Sequence, residues 1–262
     1  MLWSIQCPAA RIVVLDISEK TYDLPNVTWY KCNVGDRNQV TQIAERIQKE
    51  IGSVSILVNN AGIVKAKSFT DLSLDDIDTV LHVNLLAAMY TCKAFLPGML
   101  ARKTTTFGKP DGKPQYSGDG HIVNIASVLG LSGCGLVSDY CASKAGLVGF
   151  HESLRQELKD TGVRTSLACP GMITTGMFTG VKMSLGQLTP PLETGSVSEA
   201  VYELIAAGAD ADLYMPTYAC LVPMLRFVPM HVADAFRRVS GANEEMRAFR
   251  GSVSAAAVGK EE

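Results

Sequence analysis

The amino-acid sequence predicts an α/β fold, a doubly wound parallel sheet with helices on both faces. Three observations carry that expectation. Short apolar runs of strand length alternate with longer segments whose apolar residues recur at helical spacing. The first run, Arg11 to Asp16, is apolar at both alternating sets of positions, as a strand buried on both faces must be. Helix starts carry capping patterns, a short polar residue followed three places later by an acid or amide. With 262 residues, 47% of them hydrophobic, the chain can bury a substantial core in one large domain.

Taken in order, Arg11-Ile-Val-Val-Leu-Asp16 is a strand ending in an acid, and Val27 to Val34 is a second strand. Asp36 with Gln39 then opens a helix whose apolar stripe is Val40, Ile43, Ala44, Ile47 and Ile51. Val54 to Val58 is the next strand. Ser73 with Asp76 caps a helical region that precedes a long apolar helix from about His82 to Arg102. Lys103 to Gly120, rich in Thr, Gly, Pro and charge, is a surface excursion. His121 to Ala126 is a strand, Ser138 to Leu158 a helix, and Val163 to Ala168 a strand. Ser196 with Glu199 caps a further helix, with Val201, Leu204, Ile205 and Gly208 along one side.

Tyr218 to Phe236 is apolar and Met-rich, but Pro223, Arg226, Pro229, His231 and Asp234 interrupt it and argue against a spanning helix. It reads as a substrate lid, a surface that touches lipid, or an element packed on the core or on another subunit. The tail from Gly251 is expected to fray. The chain thus divides into an atypical segment 1–10, a main domain 11–217 with an insertion at about 103–120, and a C-terminal apolar segment and tail, 218–262, of the same domain.

A formal net charge of −2 points to neither nucleic acid nor an anionic membrane as partner. Seven cysteines are scattered without a C-x-x-C pair, and the histidines do not cluster. No metal site and no disulfide framework is expected, and reduced thiols in a cytosol-facing compartment are the default. The start, Met1 to Pro8, has no basic leader region and no long apolar run, so neither a secretory signal nor a span is expected there.

Tyr140-Cys-Ala-Ser-Lys144 carries the chemistry. At four residues' separation on a helix, the phenol and the ammonium leave the same face and can act on one substrate atom. A free Tyr titrates near pH ~10, and moving that to about 7 needs roughly 4 kcal/mol of differential stabilisation. A fixed ammonium beside the phenol works in that direction. Alone, the pair recurs by chance on solvated helices. Its company changes its weight: Asn59-Asn-Ala-Gly62 after a strand, Asn84 in a helix, and Ser127 after a strand, thirteen residues before Tyr140. Pro170-Gly-Met-Ile-Thr-Thr175 follows the strand after that helix.

Together these resemble the short-chain dehydrogenase/reductase family, whose N-N-A-G, Asn, Ser, Y-x-x-x-K and P-G-x-x-x-T signatures match here in order. The likeness covers roughly residues 11–216. Val58 to Val64, Val83-Asn-Leu-Leu86, Ala94 to Met99, Asp139 to Lys144 and Gly149 to Arg155 are similar to the retinol and 17β-hydroxysteroid dehydrogenase-like branch. The resemblance implies a Rossmann-like sheet, a nicotinamide cofactor and a lipophilic alcohol or its carbonyl (retinoid, steroid or fatty) as substrate. It also implies a homodimer through the 82–102 and 138–158 helices. Peripheral contact with endoplasmic reticulum or lipid-droplet membranes, without a transmembrane span, belongs to the same expectation.

By that resemblance Tyr140 is the general acid/base, Lys144 lowers its pKa and holds the nicotinamide ribose, and Ser127 positions and polarises the carbonyl. Asn84 takes the family's fourth catalytic position, a water relay to the lysine, against the plainer role of a buried Asn satisfying backbone. Asp16 ends its strand where an acid takes both ribose hydroxyls and repels a 2′-phosphate, so NAD is favoured over NADP. Asn33 and Val34 stand beside the adenine, with Asn in place of the family's Asp. Asn59, Ala61 and Gly62 pass the adenosine ribose, Gly62 because a side chain would block close backbone approach. Pro170, Gly171, Ile173 and Thr175 border the nicotinamide. His82, His121 and His151 are expected to be structural.

One part of the family pattern has no counterpart in this sequence. A strand, a glycine-rich turn and a helix should precede the acid-ended strand and hold the pyrophosphate. Only ten residues stand before Arg11, and no glycine precedes Gly35. The missing strand would be central, so its absence leaves two facing edges with unpaired backbone groups. Pro8 to Ala10 is too short for a parallel crossover, which needs about a dozen residues. The expectation is therefore an antiparallel filler at Leu2 to Gln6 or a disordered start. Two functions follow: a dehydrogenase, or a catalytically impaired homologue acting as a binding and dimerisation partner.

Overall fold

A computed structural model of the chain describes residues 10–19, 23–102, 105–107, 116–118, 120–174 and 191–239. The expected filler at Leu2 to Gln6 and the tail from Gly251 lie outside these. Strands β1 (Ile12–Asp16) and β2 (Val27–Lys31) pair in parallel, Ile12 opposite Val27 and Asp16 opposite Lys31. Helix α1 (Arg37–Glu50) follows, and Asp36 caps it by accepting from the N–H of Asn38 and Gln39. The Gln39 side chain completes the pairing by donating to Asp36 Oδ2 at 3.1 Å. Val40, Ala44 and Ile47 bury the stripe that the sequence shows.

Strand β3 (Ile56–Asn59) leads to α2 (Leu74–Leu81), where Ser73 and Asp76 form the expected reciprocal cap. The helix then runs through a π-helical turn (His82–Leu86) into α3 (Ala87–Leu100). The continuous helix Leu74–Leu100 is long and apolar enough, by length and composition, to cross a membrane. Its buried residues Val80, Asn84, Ala88, Cys92, Phe95 and Met99 instead pack it into the body of the molecule. The excursion 103–120 is more ordered than expected, because β4 (Thr105–Phe107) and β5 (Tyr116–Gly118) pair antiparallel within it. Next come β6 (Gly120–Ile125), α4 (Ser138–Glu157), β7 (Val163–Pro170), α5 (Thr194–Ala207), β8 (Asp212–Met215) and α6 (Met230–Val239). Among the described residues, β3, β6, β7 and β8 form one parallel sheet in that order.

Side chains alternate along β6, so Ile122 enters the core beside Ile47, Phe95 and Met99 while Val123 faces Val201 and Ile205 of α5. That is the doubly covered sheet the apolar runs predict. Two details differ from expectation. Helix α5 begins at Thr194 with Glu193 at its N-cap, so Ser196 lies inside the first turn. The chain is already fixed there, since Leu192 bridges to Ile173 and its N–H donates to the Met172 carbonyl. Gly208 does not continue the apolar side; it ends the helix in the left-handed region at φ 60°.

Among the described residues no strand pairs with the edges of β1 and β3 that border one cavity. The Ile12 N–H donates to the Asn26 carbonyl (2.9 Å) and the Cys32 N–H to the Asp16 carbonyl (2.8 Å), so Ile12, Val14 and Asp16 bond toward β2. Alternation turns the backbone groups of Val13 and Leu15 to the other edge. Across the sheet, the His121 N–H donates to the Ser55 carbonyl (2.9 Å), which leaves Ile56 and Val58 turned away from β6. Val13, Leu15, Ile56 and Val58 all line one cavity of about 610 Å³ between β1 and β3.

Candidate active site

The C-terminal ends of β6 and β7 and the first turns of α4 bring the catalytic candidates together. Ser127 follows β6, has extended backbone (φ −169°), and caps a 3-10 turn (Val128–Gly130) by accepting from the Leu129 N–H at 3.2 Å. Tyr140 and Lys144 sit one turn apart on α4 and both are buried. The side chains of Tyr140 and Ser127 are hydrogen-bonded. The Lys144 ammonium donates to the Ile125 carbonyl at 2.8 Å and lies 5.8 Å from the centre of the Tyr140 ring. These residues converge because α4 is docked closely. A Cβ at Gly130 would lie 2.8 Å from the Lys144 carbonyl carbon and oxygen. Gly130→Ala is therefore expected to cost about 1–3 kcal/mol, by forcing backbone apart at Lys144. A thermal melt tests this, and an unchanged melting temperature would refute it.

The electrostatics differ from the expectation that Lys144 draws the phenol toward neutrality. Burial pushes Tyr140 up to about 12, and only the Ser127 hydrogen bond works against it. Burial likewise pushes Lys144 down to about 8. For both groups desolvation is the largest influence. At neutral pH Tyr140 is a phenol and so a proton donor. Asp139, beside it, is buried, and neither of its carboxylate oxygens has a hydrogen-bond partner among the described residues. It lies in the first turn of α4, where a helix N-terminus favours negative charge.

Asn84 lies in the π-helical turn, closed by the Ala87 N–H donating to the His82 carbonyl. Its amide clasps Ile63, accepting from the Ile63 N–H (2.8 Å) and donating to the Ile63 carbonyl (2.9 Å). It also donates to Ser143 Oγ at 3.1 Å. Asn84 thus holds the Gly62–Ile63 segment against α4. The sequence reading missed Ser143, whose Oγ in turn donates to the Tyr140 carbonyl at 2.7 Å. It missed Gly146 as well, where a Cβ would meet Leu85 Cδ2 at 2.8 Å. Small residues on the Tyr140 helix were the available signal for such close contact.

The cofactor candidates fall into two groups. Asp16, Val34, Asn59, Ala61 and Asn84 line the cavity between β1 and β3. Asp16 Oδ1 accepts from both the N–H (2.9 Å) and the hydroxyl (2.8 Å) of Ser18. The Asn33 side chain accepts from the Gly35 N–H at 3.0 Å. The Asn59 amide is used inside the protein, donating to Asn124 (2.8 Å) and accepting from Thr91 (2.6 Å). What it leaves toward a ligand is backbone. On the other side, Pro170 ends β7, the Gly171 N–H donates to the Met215 carbonyl at 2.6 Å, and Ile173 bridges to Leu192. Thr175 lies outside the described residues.

A nicotinamide cofactor fits part of this site. A Cβ at Gly62 would lie 3.7 Å from both Asn84 Oδ1 and Lys144 Nζ, without a clash. A Cβ there would make ordinary contact, so the protein itself does not require glycine at this place. The glycine-rich turn that the family pattern places ahead of β1 has no counterpart among the described residues, which begin at Ala10. His121 donates or accepts at Ser166 Oγ (2.9 Å) and His151 at Asn124 (3.2 Å), and burial pushes both down to about 4. Both are neutral framework residues. No group of metal-ligating side chains occurs among the described residues.

The chain is similar to known proteins. The family model for short chain dehydrogenases matches residues 10–184. Retinol dehydrogenase 10 of Homo sapiens is 43% identical over 169 residues, covering 63% of this chain and 45% of that protein. Epidermal retinol dehydrogenase 2 of Homo sapiens is 37% identical over 205 residues, covering 77% of this chain and 61% of that protein. The chain thus spans about half the length of the curated relatives it matches. The ligand-free aldohexose dehydrogenase of Thermoplasma acidophilum superposes with a TM-score of 0.64 at 23% identity, over 78% of this chain and 82% of that one. That last likeness speaks to the fold alone.

Proposed function

The chain belongs to the short-chain dehydrogenase/reductase family and its retinol dehydrogenase-like branch, and we propose that it interconverts a lipophilic alcohol and its carbonyl with NAD(H). The observation that supports this most is the convergence of three side chains. The Tyr140 phenol is hydrogen-bonded to Ser127, and the Lys144 ammonium is fixed beside it on a backbone carbonyl. A bound nicotinamide would supply or accept the hydride. Ser127 holds the substrate oxygen, and Tyr140 gives it a proton in the reducing direction. Lys144 keeps a positive charge beside the developing alkoxide and stands next to Gly62. Asn84 fixes the Gly62–Ile63 segment beyond β3 against which the cofactor would lie. Asp16 stands at the strand end where a free 2′-hydroxyl is accepted and a 2′-phosphate repelled, which favours NAD over NADP. The same reading includes a homodimer through α3 and α4 and a place at the cytosolic face of endoplasmic reticulum or lipid-droplet membranes.

A second reading, a binding partner without turnover, is supported by the cavity of about 610 Å³ between β1 and β3. Titration of the chain with NADH separates the two. Binding at micromolar NADH, with retinal reduced in step with NADH oxidation, is the expected result. Millimolar or absent binding by a folded oligomer would establish the partner role instead.

A further inference from the structure

A chain of hydrogen-bonded polar side chains runs through the interior from α4 to the end of β3. His151 of α4 and Asn124 of β6 are fully buried, and Asn124 Nδ2 meets His151 Nδ1 at 3.2 Å. Asn124 Oδ1 accepts from Asn59 Nδ2 at 2.8 Å, between residues that face each other across β6 and β3. Asn59 Oδ1 in turn accepts from Thr91 Oγ1 of α3 at 2.6 Å. Polar groups are costly in a core unless each is satisfied. Yet His151 Nε2 has no hydrogen-bond partner among the described residues. The bond to Asn124 is therefore what the described residues offer this imidazole in return for its burial.

Bond by bond, the chain can run in two directions. With the imidazole proton on Nε2, the bare Nδ1 accepts from Asn124, Asn124 accepts from Asn59, and Asn59 accepts from Thr91. With the proton on Nδ1 every bond reverses, and Thr91 would donate to the Ala87 carbonyl, 2.9 Å away, while accepting from Asn59. Two observations choose the first direction. Asp212 Oδ1, paired with Arg155 at 3.0 Å, lies 3.8 Å from His151 Nε2. That is too far for a hydrogen bond, but the negative charge favours an N–H over a lone pair on that side. Asn59 Nδ2 also lies 3.5 Å from Cys92 Sγ, which takes its second hydrogen. Burial pushes His151 down to about 4, with Asp212 and Asp210 opposing and Arg155 adding to it, so one ring nitrogen stays bare at neutral pH.

The direction matters at the far end. Asn59 closes β3, and with Asn60 and Ala61 it lines the cavity between β1 and β3. Its amide is spent inward, so what it offers a ligand is backbone, and the amide holds that backbone in place. We propose that His151 is a positioning residue for the cofactor: with its proton on Nε2 it fixes the amides of Asn124 and Asn59 in one orientation, and so the backbone at 59–61. This inference rests on the nicotinamide reading of the site.

Nitrogen-15 NMR of the whole chain without cofactor should find the His151 proton on Nε2. In NADH titrations, His151→Leu should lose about tenfold in affinity, because Asn124 has nothing left to donate to. His151→Asn, whose carboxamide oxygen can stand in for Nδ1, should stay within about twofold of the wild type. Thr91→Val cuts the other end and should also lose about tenfold. The double variant should lose no more than the larger single loss, since a chain cut once has little left to transmit. A proton on Nδ1 in the wild type overturns the inference, as does unchanged NADH affinity in folded His151→Leu. So do losses that multiply to about a hundredfold in the double variant, which would make the two residues independent. Should His151→Leu fail to fold, the wild-type tautomer and His151→Asn decide, and a tenfold loss in the latter overturns the inference. Absent NADH binding by the wild type overturns the dehydrogenase reading and the cofactor end of this inference, whatever the tautomer.

Discussion

Tyr140→Phe is expected to lower carbonyl reduction by about a thousandfold, within the range of 10²–10⁴ that a positioned general acid contributes. The ring stays, so its packing against Val64, Val137 and Cys141 is kept. Only the hydroxyl is lost. Its partner Ser127 still accepts from the Leu129 N–H, so the net cost to stability should be below about 1 kcal/mol. NADH affinity should hold, because Lys144 remains anchored on the Ile125 carbonyl. Steady-state kinetics with a melting curve would show this split between turnover and stability. Full turnover in the variant would remove Tyr140 from the chemistry. Burial pushes the phenol up to about 12, so the wild type should reduce carbonyls with an acid that stays protonated through neutral pH. Alcohol oxidation, which needs the phenolate, should rise with pH over the same span.

The core elements could be read from residues because each had an unambiguous local cause, whereas the grouping of Ser127, Tyr140 and Lys144 was legible only through the family resemblance that their spacing carries. Asp36 and Ser73 cap helices with their own side chains, and Ile122 and Val123 alternate between two apolar layers. The start of α5 could not be read so, because the Leu192–Ile173 bridge fixes it from a distant part of the chain. Strand β8 escaped notice for a related reason. It is four residues long, and an ion pair between Asp212 and Arg155 of α4, at 3.0 Å, helps hold it at the sheet edge. The π-helical turn at Asn84 is a register shift with no sequence signature of its own, and its Leu85 packs against Gly146 where a Cβ would clash. Residue spacing reports the proximity of Tyr140 to Lys144 and says nothing of burial, which pushes the phenol up and the ammonium down.

Lys144→Met should abolish turnover and yet raise stability at pH 7. Lys144 is buried, and its pKa falls from an ordinary 10.5 to about 8 because desolvation penalises the ammonium. That difference amounts to roughly 3 kcal/mol held against the fold. Methionine of similar length removes the charge, while the Ile125 carbonyl loses its donor at a cost of about 1 kcal/mol. A net gain of about 2 kcal/mol is therefore expected at neutral pH. The pH dependence gives an independent check. Between about 8 and 10.5 the unfolded chain binds the proton that the folded chain has released. Wild-type stability should thus rise with pH through that window, and below about 8 the full penalty stays in force. The variant should lack the rise. Carbonyl reduction by the wild type should fall as pH passes about 8, where Lys144 loses the charge that stabilises the alkoxide. Lys144→Arg, which keeps its charge, should shift that fall to higher pH if it retains activity. A variant that keeps the wild-type rise in stability would assign the titration to another group, and the ammonium would then not be what the fold strains to hold.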